Sequence, residues 1–248
     1  MPAARFYIDA PLAPGTQLDL PPSVAHHATR VLRLREGGTI ILFNGRGGEF
    51  HAQLSVKGKR PTAEIQTFDP VEREARLPIT LVQSWIATEK LDWVVEKSVE
   101  LGVHAILLAP AQRSLVRLAG DRLARRIERL RDLATAACAQ CGRNIVPPIA
   151  ASATLECALR EQFDDSTIRL MLEPSASDEI PLSRNALINR PVRIVVGPEG
   201  GFESTELTLA RDAGYRACRL GPRILRTETA GIVALAALQA LAGDLCTS

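Results

Sequence analysis

From Ile79 onward, apolar runs of strand length alternate with segments of helical periodicity, and this alternation constrains the fold more than any other feature of the chain. Strand-like runs occupy residues 79–85, 105–108, 168–172, 192–196 and 215–220. Helical patterns cover 89–101, 121–141, 154–162, 204–213 and the apolar C-terminal stretch. Helices between successive strands act as crossovers that return the chain to the same edge, so the pattern predicts an α/β domain with a mostly parallel sheet. The N-terminal residues read differently. Strand candidates at 5–8, 39–43, 49–56 and 62–68 flank a helical stretch at 21–34, and Asn44, Gly45, Gly47, Gly48, Gly58 and Pro61 supply turns. Such strands close most simply as a small β-barrel. The charged residues 69–78, bracketed by prolines, read as a linker between an N-terminal domain at 1–72 and a C-terminal domain at 73–248.

Composition removes several classes. The longest apolar run, 230–241, is interrupted by Gln239 and falls short of the roughly 20 residues that cross a bilayer, so no membrane partner is expected. Residues 1–12 lack a basic segment followed by an apolar core, and the 5 cysteines form an odd set without framework spacing. Both point to a reduced, cytoplasmic protein. A net charge of +2 is too small to argue nucleic-acid binding by itself. The bases between Arg113 and Arg143 are all arginine, which suits bidentate phosphate contact and equally suits a solvated helix face.

Two loops offer chemistry. In 192–206 a buried strand runs into Gly197-Pro198-Glu199-Gly200-Gly201 and then a helix start at Ser204. This places backbone N–H groups at the carboxyl end of a parallel strand, where open α/β sheets bind ligands. The dinucleotide spacing of glycines is absent, which counts against a nucleotide-dependent dehydrogenase. The second loop, 220–230, also follows a strand, carries Arg223 and Arg226, and opens the last helix with Thr227 or Thr229 available as a cap. A plain turn into a capped helix would account for most of either loop. Cys138 and Cys141 fall on an apolar helical stripe with Leu130 and Ala134 and lack the further ligands that structural zinc needs, so buried thiols are expected and no metal. The pair His26 and His27 lacks carboxylates, and no nucleophile elbow suggests a hydrolase.

Taken in order, Arg5-Phe6-Tyr7, residues 26–33, Lys90 to Gly102, Cys138 to Asn144, Val196 to Gly201 and Leu220 to Ala230 resemble the 16S rRNA uridine-N3 methyltransferases of the SPOUT superfamily. The resemblance spans nearly the whole chain. It implies a PUA-like N-terminal β-barrel and a C-terminal SPOUT α/β domain with a deep trefoil knot, a topology that ordinary connection rules would not anticipate. It also implies a homodimer that uses S-adenosyl-L-methionine to methylate N3 of a uridine in the decoding region of 16S rRNA, on the small ribosomal subunit. By matching segments, Leu172, Glu173, Gly197, Pro198, Glu199, Gly200, Gly201, Leu220, Gly221, Leu225, Arg226 and Thr229 are expected to hold the cofactor. Arg226 is expected to stabilise the uridinate, and Glu199 either to accept the proton or to support the loop. Arg5, Arg30, Arg33 and Arg143 are expected to meet RNA. A SPOUT enzyme acting on another RNA atom and a non-catalytic RNA-binding assembly protein remain as alternatives.

Overall fold

The computed structural model describes residues 3–57, 60–180, 184–188 and 190–246. The chain divides into two units, Met1–Glu74 with Thr135–Val146, and Ala75–Ala134 with Pro147–Ser248.

In the first unit, β1 (Ala4–Tyr7), β2 (Gln17–Asp19), β3 (Thr39–Phe43), β4 (Glu49–Ser55) and β5 (Thr62–Asp69) form one sheet in the order β1-β3-β4-β5-β2. Only β1 and β3 pair in parallel; the rest are antiparallel. Period-2 patterning decides which side is buried. Phe50, Ala52 and Leu54 of β4 join Ala63 and Ile65 of β5 and Ile40 and Leu42 of β3 in the core, while Gln53 and Glu64 face out. The helical stretch proves to be two short pieces, α1 (Pro22–His26) and a π-helical turn, His27–Val31. Ala25 and Ala28 bury its inner side, and Arg33 follows in left-handed backbone at φ 52°.

The second unit holds a six-stranded sheet in the order β11-β9-β10-β6-β7-β8, all pairs parallel. Its strands are β6 (Ile79–Ser84), β7 (Ala105–Ala109), β8 (Ile149–Ala151), β9 (Ile168–Leu172), β10 (Val192–Val196) and β11 (Arg216–Cys218). Its helices are α2 (Thr88–Glu100), most of α3 (Gly120–Cys141), α4 (Leu155–Arg160), α5 (Arg184–Leu187), α6 (Ser204–Asp212) and α7 (Thr227–Ala242). One sheet face packs Val82, Leu107, Met171 and Val195 with Leu155 and Leu159 of α4 and Ala210 of α6. On the other, Gly231 of α7 approaches so closely that an added Cβ would lie 3.3 Å from Leu81 and 3.5 Å from Val196. Strand β10 is buried along its whole length, as a central parallel strand covered on both faces must be. The chain leaves β6 toward one edge and returns from β10 to the other, and such a reversal of strand order is where open sheets form ligand crevices.

Three elements went unpredicted: β2, β8 and α5. The division at 72/73 also leaves out Thr135–Val146, which groups with the first unit. The expected linker is correspondingly held in place at its start. The Val71 carbonyl accepts from Asn144 at 3.1 Å, and Arg73 donates to Glu49 at 2.8 Å.

Candidate active site

The carboxyl ends of β9, β10 and β11 open onto a cavity of about 420 Å³ in the second unit, a size typical of small-molecule sites. Leu172, Glu173 and Pro174 enter it from β9. From β10 come Gly197, Pro198, Glu199, Gly201 and Phe202. The segment between β11 and α7 contributes Leu220, Arg223, Leu225 and Arg226.

The glycine turn takes this path for local reasons. At Gly197 a Cβ would meet the buried Phe202 ring at 2.9 Å, so only glycine lets the backbone cross there. Gly201 takes φ 69°, and α6 then begins at a reciprocal cap between Glu203 and Glu206. Glu206 is buried because its other carboxylate oxygen accepts from the Gln112 N–H at 2.9 Å.

Helix α7 begins against the same turn. Thr227, expected as a cap, instead donates its hydroxyl to the Gly197 carbonyl at 2.6 Å, and Gln83 of β6 donates to that hydroxyl at 3.1 Å. Arg226 occupies the N-cap position without a capping side-chain bond. Gln83 is fully buried, so this chain of bonds fixes β6, the glycine turn and α7 together. Sequence reasoning missed it. Its signal is one amide near the carboxyl end of a buried strand, where Leu81 and Val82 precede it.

Charge collects on one wall. Lys90 of α2 reaches Glu199 at 3.3 Å and Glu228 at 3.5 Å. Arg226 is exposed and makes no ion pair among the described residues. Outside the cavity Arg113 donates to the Gly200 carbonyl at 2.9 Å and to Glu203 at 2.8 Å; the hydrogen bond from Arg113 holds the Glu203 carboxyl below its ordinary range.

Nine of the residues expected around the cofactor meet here: Leu172, Glu173, Gly197, Pro198, Glu199, Gly201, Leu220, Leu225 and Arg226. Three do not line the cavity. Gly200 offers its carbonyl to Arg113, Gly221 shapes its turn at φ 67°, and the Thr229 N–H donates to the Arg226 carbonyl inside the first turn of α7. Lys90 and Glu228, unforeseen, do line it.

The arginines expected to meet RNA separate into two kinds. Arg30 and Arg33 are exposed. Arg5 and Arg143 are not available in the same way. Arg5 pairs with Glu49, donates to the Asn144 side chain at 2.6 Å and stacks over Phe43. Arg143, with its side chain 5% exposed, pairs with Glu74 through two nitrogens. A guanidinium buried on a carboxylate in this manner neutralises an internal charge rather than a phosphate. Cys138 is buried, and burial pushes its thiol up to about 12; Cys141 is half-buried rather than buried. Glu49, His51 and Asp69 place ligand atoms near one another, yet Arg5 and Arg73 already neutralise Glu49, which opposes a cation.

Residues 73–239 match the family model described as RNA methyltransferase domain, and residues 20–66 match the RNA methyltransferase PUA domain. A Bacillus subtilis protein named ribosomal RNA small subunit methyltransferase E is 32% identical, over 86% of each chain. The chain belongs to this family. A family member from Neisseria gonorrhoeae, solved bound to S-adenosyl methionine, is 37% identical over 98% of this chain and 99% of its own, with a TM-score of 0.87. A Legionella pneumophila chain described as a methyltransferase, also solved with the cofactor SAM, is 35% identical over 99% and 100%, with a TM-score of 0.90. Within the family, then, the first unit is a PUA-type domain and the second a SPOUT-type domain. No helix among the described residues is long and apolar enough to cross a membrane.

Proposed function

We propose that the chain methylates N3 of a specific uridine in 16S rRNA, in the decoding region of the small ribosomal subunit, using S-adenosyl-L-methionine. The observation that carries this reading is the cavity at the ends of β9, β10 and β11, whose wall combines a glycine turn, apolar Leu172 and Leu225, and the cation Arg226. Two relatives similar over nearly their whole length hold S-adenosyl methionine. The residues present suit that group. Gly197 and Gly201 bring backbone to the cavity wall, and Glu228 presents a buried carboxylate oxygen without a hydrogen-bond donor. Gly200 supports the turn from outside.

When bound, the cofactor supplies an electrophilic methyl carbon. The protein's share is the acceptor: uridine N3 is protonated at neutral pH, and its lone pair becomes nucleophilic only as that proton leaves. Arg226, exposed at the cavity rim, stabilises the negative charge that develops on the flanking carbonyl oxygens. Glu199, steadied by Lys90, accepts the proton directly or through water. Holding both reactants in one cavity supplies orientation. The uridine enters unpaired, since N3 lies on its pairing edge. Arg30 and Arg33 of the first unit contact RNA phosphate.

The same reading takes the protein to be a cytoplasmic homodimer with a trefoil knot around the segment between β11 and α7. Trp93 of α2 and Val233 of α7, partly exposed apolar side chains on helices that pack together, suit a partner copy. Light scattering at graded concentration checks this, with a stable monomer as the contrary result. The activity is tested by mass mapping of 16S rRNA from a strain lacking the protein, and by methyl transfer to its small subunits in vitro. Loss and restoration of a methyl on uracil N3 is expected. A methyl missing from ribose instead, or no transfer at all, overturns the proposal.

A further inference from the structure

Glu228 is the second residue of α7 and lines the cavity, with its side chain only 15% exposed. Its Oε2 atom is buried and accepts no hydrogen bond. The neighbouring cation, Nζ of Lys90, stands 3.5 Å away and is shared with Glu199, whose Oε1 is nearer at 3.3 Å. One ammonium thus serves two carboxylates. These three side chains together carry one more negative than positive charge; Arg219, Arg223 and Arg226 also line the cavity but make no ion pair with Glu199 or Glu228 among the described residues. A buried, undersolvated carboxylate favours a ligand that brings positive charge.

We infer that Glu228, together with Glu199 and Lys90, determines specificity by reading the sulfonium charge of the cofactor, so that the site holds the methyl-bearing form and releases the demethylated one. The inference rests on the cofactor use proposed above. Methyl transfer breaks the carbon–sulfur bond and leaves the bonding pair on sulfur, which turns a sulfonium into a neutral thioether. Both forms share the adenosine, the ammonium and the carboxylate. The ammonium meets the cluster in both forms and cancels in the comparison, whereas the sulfonium is present in one alone, so discrimination between the two forms isolates its effect. A carboxylate that served only to complement the N-terminus of α7 would affect helix stability and leave this discrimination untouched.

Calorimetry on the full-length protein, with S-adenosylmethionine and S-adenosylhomocysteine titrated separately, tests the inference. Glu228→Gln keeps size and hydrogen-bonding capacity and removes the charge. It is expected to weaken S-adenosylmethionine roughly tenfold, a factor ordinary for one charge at the edge of a protein cavity, while S-adenosylhomocysteine changes less than about twofold. Equal weakening of both ligands, or of neither, overturns the inference. Lys90→Met offers a second reading that survives a misfolded Glu228 variant. It strips the only cation from the cluster and is expected to widen the preference for the sulfonium; an unchanged or narrowed preference overturns the inference as well. Should the unaltered protein bind neither ligand, the cofactor reading itself fails. Binding of both with a ratio indifferent to these substitutions refutes only the role given to Glu228.

Discussion

The N-cap of α7 is an unusual place for an arginine, because Ser, Thr, Asp or Asn would accept a hydrogen bond there and Arg226 accepts none. The position has local sense only if the side chain serves the cavity. Arg226→Ala is accordingly expected to leave the melting temperature within a degree or so and to lower kcat by roughly 100-fold, as loss of one aimed electrostatic partner does; unchanged turnover in single-turnover methylation would remove its role. Thr227→Val takes away the hydroxyl that joins Gln83 to the Gly197 carbonyl. It should destabilise the fold by about 1–3 kcal/mol, the range for a buried polar group left unpaired, and weaken cofactor binding, as denaturant titration and calorimetry would show. At this scale the sequence was legible where function rests on contiguous residues: Glu199 and Arg226 lie in the two glycine-marked loops. Lys90, Gln83 and Glu228 were not foreseen as site residues. Lys90 reaches the cavity from α2 and Gln83 holds Thr227 from β6, both far away in the chain, and Glu228 draws its meaning from Lys90.

Among the elements, the buried parallel strands were the most legible, since β9 and β10 are apolar apart from Arg169 and Arg193, and glycine or charge marks their ends. The misses are short. β2 and β8 have three residues each and α5 has four, too few for periodicity to declare itself. The π-helical turn His27–Val31 was invisible for another reason: its side-chain spacing differs only slightly from that of an α-helix, and the irregularity is resolved in the backbone. It delivers Arg33 into left-handed backbone at φ 52°, which costs a residue with a Cβ about 1 kcal/mol or more. Arg33→Gly is therefore expected to raise stability by up to about 1 kcal/mol, less the extra freedom glycine gains when unfolded. The same change should weaken rRNA binding and flatten its dependence on salt by about one unit of slope. Filter binding across a salt series, beside a thermal melt, reads both effects. A stability gain with undiminished RNA affinity would relieve Arg33 of its proposed contact.

At the level of the whole molecule, the first unit is closed by a polar knot of side chains drawn from three distant stretches. Arg5, Arg73 and Asn144 all converge on Glu49, whose side chain is 4% exposed. Burial pushes the Glu49 carboxyl up, but hydrogen bonds from Arg73 and Arg5 outweigh it and hold the group at about 2, against 4.5 ordinarily. Because the folded value is the lower one, the stabilisation is complete above about pH 4.5 and is lost as pH falls toward about 2. Glu49→Gln should abolish that part of the acid transition and destabilise the protein by roughly 3 kcal/mol at neutral pH, since it strands the guanidinium of Arg5; urea titrations at pH 7 and pH 3 measure both. The long α3 belongs to the second unit up to Ala134 and to the first from Thr135 onward, and Asn144 follows just beyond its end. A gene fragment ending at residue 74 therefore encodes every described strand of the first unit and still lacks the amide that completes its ion cluster. The PUA-type unit is not a cassette that recombination can lift out by a single cut: whatever lineage carries it must inherit the end of that helix too.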